Sequence, residues 1–173
     1  MQTLLLILAL GLTPALRAQA APASEEAVSE RWYLRAVVTD KGASEETVEG
    51  VSPLTITALG GGDLEIKTTM LWDGQCQEVK VVLESTNDPG KFTAFGGKYH
   101  VSIQPLHVEG YYTLYGEGQF NGHPFRMAQL VGKGLDHNEE ALAEFREFTG
   151  GRGFDTEKVI VPEQKEACTT GEE

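Results

Sequence analysis

The feature that most limits the fold of this chain is a series of short runs, most of which alternate apolar and polar residues. The runs cover residues 32–40, 53–59, 63–71, 77–84, 91–95, 99–105, 111–116 and 124–131. A period of two is typical of a strand that turns one face to a core and the other to solvent. The sequence therefore predicts an all-β fold.

Turn-forming residues separate these runs, for example Gly, Asn, Asp and Pro at 60–63, 87–90 and 121–122. Short connections between consecutive strands predict an antiparallel meander. Eight such strands would lose their exposed edges by closing into an up-and-down barrel. A barrel filled by side chains and a two-sheet sandwich are the alternatives that alternation leaves open.

One amphipathic α-helix is predicted after the strands, packed on the outside of the barrel. Its apolar face holds Ala141, Leu142, Phe145 and Phe148. Asp136 is the predicted N-cap, and Glu139 three residues later would complete a capping box. The glycines at 150–151 are predicted to end the helix. Residues 158–161 are predicted to form one further short strand.

The N-terminus resembles a secretory signal peptide. A short apolar run at 4–10 precedes the small residues Ala18 and Ala20, and the run is too short to cross a bilayer. We expect residues 1–18 to be removed, with cleavage after Ala20 as the alternative, and residues 19–173 to form a single domain. Secretion places the protein in an oxidising compartment, where Cys76 and Cys168 are expected to form a disulfide rather than remain free thiols.

Charge and composition argue against several functions. Acidic residues outnumber basic ones 26 to 14, which gives a net charge of −12 and disfavours binding to nucleic acid. The sequence contains no second long apolar segment, so insertion in a membrane is not predicted. Metal-ligand spacing is absent among the histidines, so we expect no metal and no cofactor. These histidines are His100, His107, His123 and His137.

An eight-stranded barrel can enclose one small ligand, and alternation predicts which side chains would surround it. The predicted lining residues are Leu34, Val38, Leu54, Ile56, Leu64, Ile66, Met70, Val81, Phe92 and Met127. A slip of one residue in register would exchange the inner and outer faces.

Several motifs resemble the lipocalin family. The segment 29–34 around Trp32 is similar to the family's opening G-x-W pattern, and 51–54, 61–65, 74–77, 88–91, 130–132 and 140–142 resemble the subgroup of tear lipocalins, odorant-binding relatives and salivary allergens. The resemblance implies an eight-stranded calyx, a Cys76–Cys168 bridge, and secretion into a gland fluid such as tears, saliva or nasal mucus. It also implies a monomer or weak dimer, and a cell-surface receptor as a further partner.

Three residues depart from the family pattern. Glu30 stands where the family has glycine, and Gly116 stands where close relatives often have an unpaired cysteine. Lys133 stands where most members have an arginine that closes the barrel floor against the first-strand tryptophan. We expect Lys133 to keep a cation–π contact with Trp32, without the planar stacking of a guanidinium.

The resemblance implies a carrier of small hydrophobic molecules such as lipids, fatty acids, alcohols or odorant-like compounds. The acidic segment with Glu45, Glu46 and Glu49 would lie at the open end, where it would disfavour anionic ligands. Enzymatic activity is not expected, because the bridge would leave no thiol for the isomerase chemistry found in one lipocalin. A protease inhibitor or other protein-interaction module is the alternative.

Overall fold

Antiparallel strands make up most of the protein in the computed structural model, which describes residues 29–40, 50–51, 53–72, 74–120, 122–134 and 138–164. The strands are β1 (Ser29–Thr39), β2 (Gly50–Val51), β3 (Leu54–Ala58), β4 (Leu64–Trp72), β5 (Gln75–Ser85), β6 (Lys91–Ala94), β7 (Tyr99–Pro105), β8 (Tyr111–Phe120) and β9 (His123–Gly132). The helix α1 covers Glu139–Gly151, and single 3-10 turns cover Gly60–Gly62 and Thr156–Lys158.

The strands close into a ring. From β3, each strand pairs antiparallel with the next along the chain to β9, and β1 joins β9 to β3. Both β2 and β3 pair with β4, at Gly50–Leu71 and Ala58–Leu64, so they are two pieces of one barrel strand. The predicted eight-stranded antiparallel barrel is therefore confirmed, and the sandwich is excluded.

A bulge in β1 reverses the faces of that strand. Leu34 lies opposite Val131 in β9, whereas Ala36 lies opposite Leu130, so the extra residue Arg35 shifts the register by one. An inserted residue exchanges the two faces beyond it. Leu34 consequently faces the barrel interior, while Ala36 and the residues in phase with it face outward.

The helix begins two residues later than the predicted N-cap implies. Asn138 is its N-cap, with an extended backbone and a side-chain Oδ1 that accepts a hydrogen bond from the Ala141 N–H at 3.0 Å. The prediction of Asp136 as the cap was wrong, because the Asn138 carboxamide occupies the capping position. Asp136 itself lies outside the described residues. The helix ends at Gly151, as predicted.

The apolar face of α1 covers the outer surface of β1, β8 and β9. Phe145 is fully buried there, as are Ala36 and Ala128 on the barrel wall. Arg152 places its guanidinium 4.5 Å from the Tyr115 ring centroid and so covers the edge of this cluster. The predicted packing of the helix outside the barrel is confirmed. The strand predicted at 158–161 is only a bridge between Val37 and Ile160, because the 3-10 turn occupies the residues before it.

Candidate functional site: a cavity inside the barrel

The barrel interior contains a cavity of about 550 Å³. It is bordered by Leu34, Leu54, Ile66, Thr68, Met70, Val79, Val81, Leu83, Phe95, Tyr99, Val101, Leu114, Gly116, Gln119, Phe125, Met127 and Gln129. Most of these side chains are apolar, and none of these lining residues is charged. The barrel is therefore not filled by its own side chains, and its described lining offers no charged group that could bind an ion.

Trp32 lies at the closed end of the barrel, buried below the cavity. Its ring meets Tyr112 edge-on, with ring centroids 5.2 Å apart. Lys133 Nζ lies 5.0 Å from the Trp32 ring centroid, which confirms the predicted cation–π contact. Lys133 Nζ also lies 3.6 Å from Glu30 Oε2. Two of the residues that depart from the family pattern thus form an ion pair with each other.

The structure brings six of the ten predicted lining residues around the cavity. These are Leu34, Leu54, Ile66, Met70, Val81 and Met127. They come from β1, β3, β4, β5 and β9, so the cavity is formed by strands on several sides of the barrel. That any of them binds a ligand remains a prediction.

The other four predicted lining residues lie elsewhere. Val38 is buried beneath α1, because the bulge at Arg35 turns it to the outer face. Ile56 faces inward but lies opposite Glu30, beyond the Trp32–Leu54 pair, where the interior is packed. Leu64 and Phe92 pack against the cluster around Leu83 without bordering the cavity. These inward residues lie beside the closed-end turns, where side chains meet across the barrel.

Eleven lining residues are not among the ten predicted ones. They are Thr68, Val79, Leu83, Phe95, Tyr99, Val101, Leu114, Gly116, Gln119, Phe125 and Gln129. Period two identifies Val79 and Leu83, since alternation places both on the same strand face as Val81. Alternation of apolar and polar residues does not predict that a glycine or a glutamine faces the interior. Phe95 lies in the β6–β7 turn with a positive φ of 53°, and no strand pattern extends to a turn residue.

Few polar groups face the cavity. The Gln129 amide nitrogen lies 3.8 Å from Met127 Sδ, a weak hydrogen bond. Burial raises the pKa of the Tyr99 hydroxyl to about 12, and negative charge on nearby groups adds to this effect. Tyr99 is consequently neutral at physiological pH. The cavity offers hydrogen-bonding groups without charge.

Several sequence predictions fall wholly or partly outside the described residues. They concern residues 1–18, the acidic residues Glu45, Glu46 and Glu49, and Cys168. Cys76 lies half-buried in β5, opposite Leu71 in β4. The Cys76–Cys168 bridge remains a prediction.

Within the described part of the chain, no three His, Cys, Asp or Glu side chains come together as a metal site. None of the helices in the described ranges has the length and apolarity that crossing a bilayer requires.

Known proteins similar to this chain cover nearly all of it. Lipocalin-1 of Sus scrofa is 44% identical over 174 residues, which are 99% of this chain and 98% of the relative. von Ebner gland protein 2 of Rattus norvegicus is 42% identical over 175 residues, 99% of each chain. Odorant-binding protein 2a of Mus musculus is 37% identical over 169 residues, 95% of this chain and 96% of the relative.

The fold has a solved counterpart in the siderocalin Ex-FABP. The TM-score is 0.68 at 19% sequence identity, over 79% of this chain and 95% of that protein. The profile of the lipocalin / cytosolic fatty-acid binding protein family matches residues 29–166. The barrel, the profile match and the near full-length relatives lead to one assignment: this chain belongs to the lipocalin family.

Proposed function

We propose that this protein is an extracellular carrier that binds one small, uncharged hydrophobic molecule in the barrel cavity. The observation that carries the proposal is a cavity of about 550 Å³ with no charged side chain among its described lining residues. This volume lies within the range of small-molecule sites, roughly 300–1,000 Å³. Membership of the lipocalin family and the similarity to an odorant-binding protein support the same function.

Burial of apolar surface would drive the binding. Each Å² of apolar ligand surface removed from water gains about 25 cal/mol. A ligand of about ten carbon atoms that buries roughly 250 Å² would gain about 6 kcal/mol, before the cost of lost translation and rotation. A carboxylate in the same place would lose its hydration without meeting a cationic partner, which costs several kcal/mol. The cavity therefore favours neutral ligands.

Adjacent residues of β5 provide a direct test of cavity binding. Val81 borders the cavity, whereas Val82 is on the opposite face and 40% exposed. In Val81→Trp the indole would occupy cavity volume, and we expect N-phenyl-1-naphthylamine to bind at least about tenfold more weakly. Val82→Trp adds the same group outside and should leave the affinity unchanged. Equal affinities of both variants and the unmodified protein would contradict binding in the barrel.

Ligand charge is tested with 1-decanol and decanoate as competitors for the same probe. We expect the alcohol to bind more tightly than the carboxylate by about tenfold. Added salt should narrow the difference if the acidic residues Glu45, Glu46 and Glu49 lie at the mouth, because salt screens their repulsion. Tighter binding of decanoate at every salt concentration would refute the preference for neutral ligands.

Secretion is part of the proposal. The signal peptide predicted at residues 1–18 and the similarity to von Ebner gland protein 2 support an extracellular location. The secreted protein should begin at Gln19 or Ala21. Its intact mass should be lower than that of the reduced chain by two hydrogen atoms if Cys76 and Cys168 are bridged. Mass spectrometry of protein from a secreting cell line measures both.

A further inference from the structure

Two glycines on the inner face of β8 form a seat for the ring of Tyr99. Gly118 lies opposite Tyr99 in the β7–β8 pairing, and Gly116 is next on the same face. A Cβ on Gly116 would lie 2.5 Å from the ring carbons Cε1 and Cζ, and one on Gly118 would lie 2.7 Å from Cδ2. Any larger residue at Gly116 would displace the ring, and one at Gly118 would also meet the backbone carbonyl of Lys98. The ring therefore lies directly against the backbone of β8.

The Tyr99 hydroxyl is buried, and no group among the described residues hydrogen-bonds to it. A buried hydroxyl without a hydrogen-bond partner is unfavourable in the unliganded barrel, because it has lost its hydration and gained no hydrogen bond in return. The other polar residues of the cavity are placed differently. Thr68 has an interaction partner, Gln119 is exposed, and Gln129 donates to Met127 Sδ.

The hydroxyl oxygen is the Tyr99 atom nearest to Gly116 and lies against the backbone of β8, so the ring must move toward the cavity for the hydroxyl to reach a ligand. Tyr99 borders the cavity, so this movement enters open space. Phe95 and Phe125 have ring centroids 6.2 and 6.5 Å from that of Tyr99. The apolar body of a ligand would thus meet aromatic rings around one hydroxyl.

We infer that Tyr99 is a specificity-determining residue, whose hydroxyl donates a hydrogen bond to an uncharged oxygen of the ligand. This inference rests on the proposed carrier function. The ligand class is an apolar molecule with a carbonyl, ether or alcohol oxygen. An anionic oxygen is disfavoured, because no charged side chain among the described lining residues could pair with it. Gly116 and Gly118 are positioning residues, since they fix where the ring lies.

The test compares 2-undecanone with n-undecane, which share a chain and differ in one oxygen. Each competes for bound N-phenyl-1-naphthylamine. In Tyr99→Phe we expect the ketone to bind about five- to tenfold more weakly and the alkane to bind as before. Tyr33→Phe is the matched control, because Tyr33 lies on the face of β1 opposite Trp32 and Leu34. It should leave both affinities unchanged.

Unliganded Tyr99→Phe should also melt at a higher temperature than the unmodified protein, since it removes the unpaired hydroxyl without changing the ring. Gly116→Ala should push the ring into the cavity and weaken both ligands, whereas Gly60→Ala, with open space around it, should not. An unchanged preference for the ketone in Tyr99→Phe would overturn the role of Tyr99 and leave the carrier function standing. Failure of the unmodified protein to bind either ligand would overturn both.

Discussion

The closed and open ends of the barrel are made from the same strands, yet one end is packed and the other is hollow. The inner face of β8 shows why. From the closed end upward it presents Tyr112, Leu114, Gly116 and Gly118, so the inward side chains become smaller along a single strand. Tyr112 meets Trp32 across the interior, whereas at Gly116 and Gly118 no β8 side chain projects inward and the Tyr99 ring lies against the strand backbone. Alternation gives both ends of the barrel inward-facing side chains, but the volume of those side chains decides which end is empty.

The largest effect is expected at the packed end. Trp32→Ala removes a buried ring that contacts Tyr112 and Lys133, and we expect the free energy of unfolding to fall by about 3–5 kcal/mol. Urea denaturation measures the loss. Trp32→Phe keeps an aromatic ring at the floor and should lose less. An unchanged melting temperature in Trp32→Ala would contradict the packed floor.

A smaller stability loss is expected at the hollow end. Met70 is half-buried and borders the cavity, so Met70→Ala gives up contacts on one side only. We expect a loss of about 1–2 kcal/mol together with several-fold weaker binding of N-phenyl-1-naphthylamine. Met70→Leu preserves most of the volume and should change both quantities little. A loss as large as that of Trp32→Ala would show that the cavity wall is as tightly packed as the floor.

The smallest effect concerns the attachment of α1 to the β7–β8 loop at the closed end. The His107 backbone N–H donates to Glu144 Oε1 and Oε2, at 3.0 and 3.2 Å, and His107 Nδ1 lies 2.7 Å from Oε1. The backbone hydrogen bond from His107 is the largest cause that lowers the pKa of Glu144 from its ordinary 4.5. The carboxylate form is therefore favoured in the folded protein.

The sign of the pH dependence follows from that lowered pKa. The stabilisation is complete above pH 4.5 and is lost as the pH falls through the lower pKa of the folded state. Glu144→Gln should cost up to about 1 kcal/mol at pH 7, because the site is partly solvated, and should cost nothing below the folded pKa. Urea denaturation at pH 7 and at a pH below the folded pKa measures the free energy of unfolding of both proteins. Glu147→Gln, on the exposed face of α1, is the control. A cost that does not change with pH would rule out the carboxylate as its source.

The strands and the helix could be predicted from local patterns, and the family from the resemblance of several motifs to it. Strand alternation, turn residues and the apolar face around Phe145 each depend on neighbours along the chain, and the structure places them as expected. The cavity could be predicted only in part. Val38 was assigned to the wrong face because Arg35 forms a bulge, and the pattern of Trp32, Leu34, Ala36 and Val38 contains no sign of it.

Other features depended on contacts between residues far apart in sequence. The Tyr99 ring lies at the cavity wall because β8 places Gly116 and Gly118 beside it. Neither glycine belongs to a hydrophobic pattern. The Glu30–Lys133 ion pair likewise joins two positions that are individually unusual and more than a hundred residues apart.

Local sequence patterns are enough to specify short antiparallel strands followed by one outer helix, since period and turn chemistry act over a few residues. Which faces line the interior, and where the interior is empty, depends on how the strands pair and pack in three dimensions. The register of each strand depends on its bulges and partners, and a cavity is the volume that side chains from all eight strands together fail to fill. The Tyr99 hydroxyl, buried at the wall of that volume with no hydrogen-bond partner among the described residues, is a product of the tertiary structure alone.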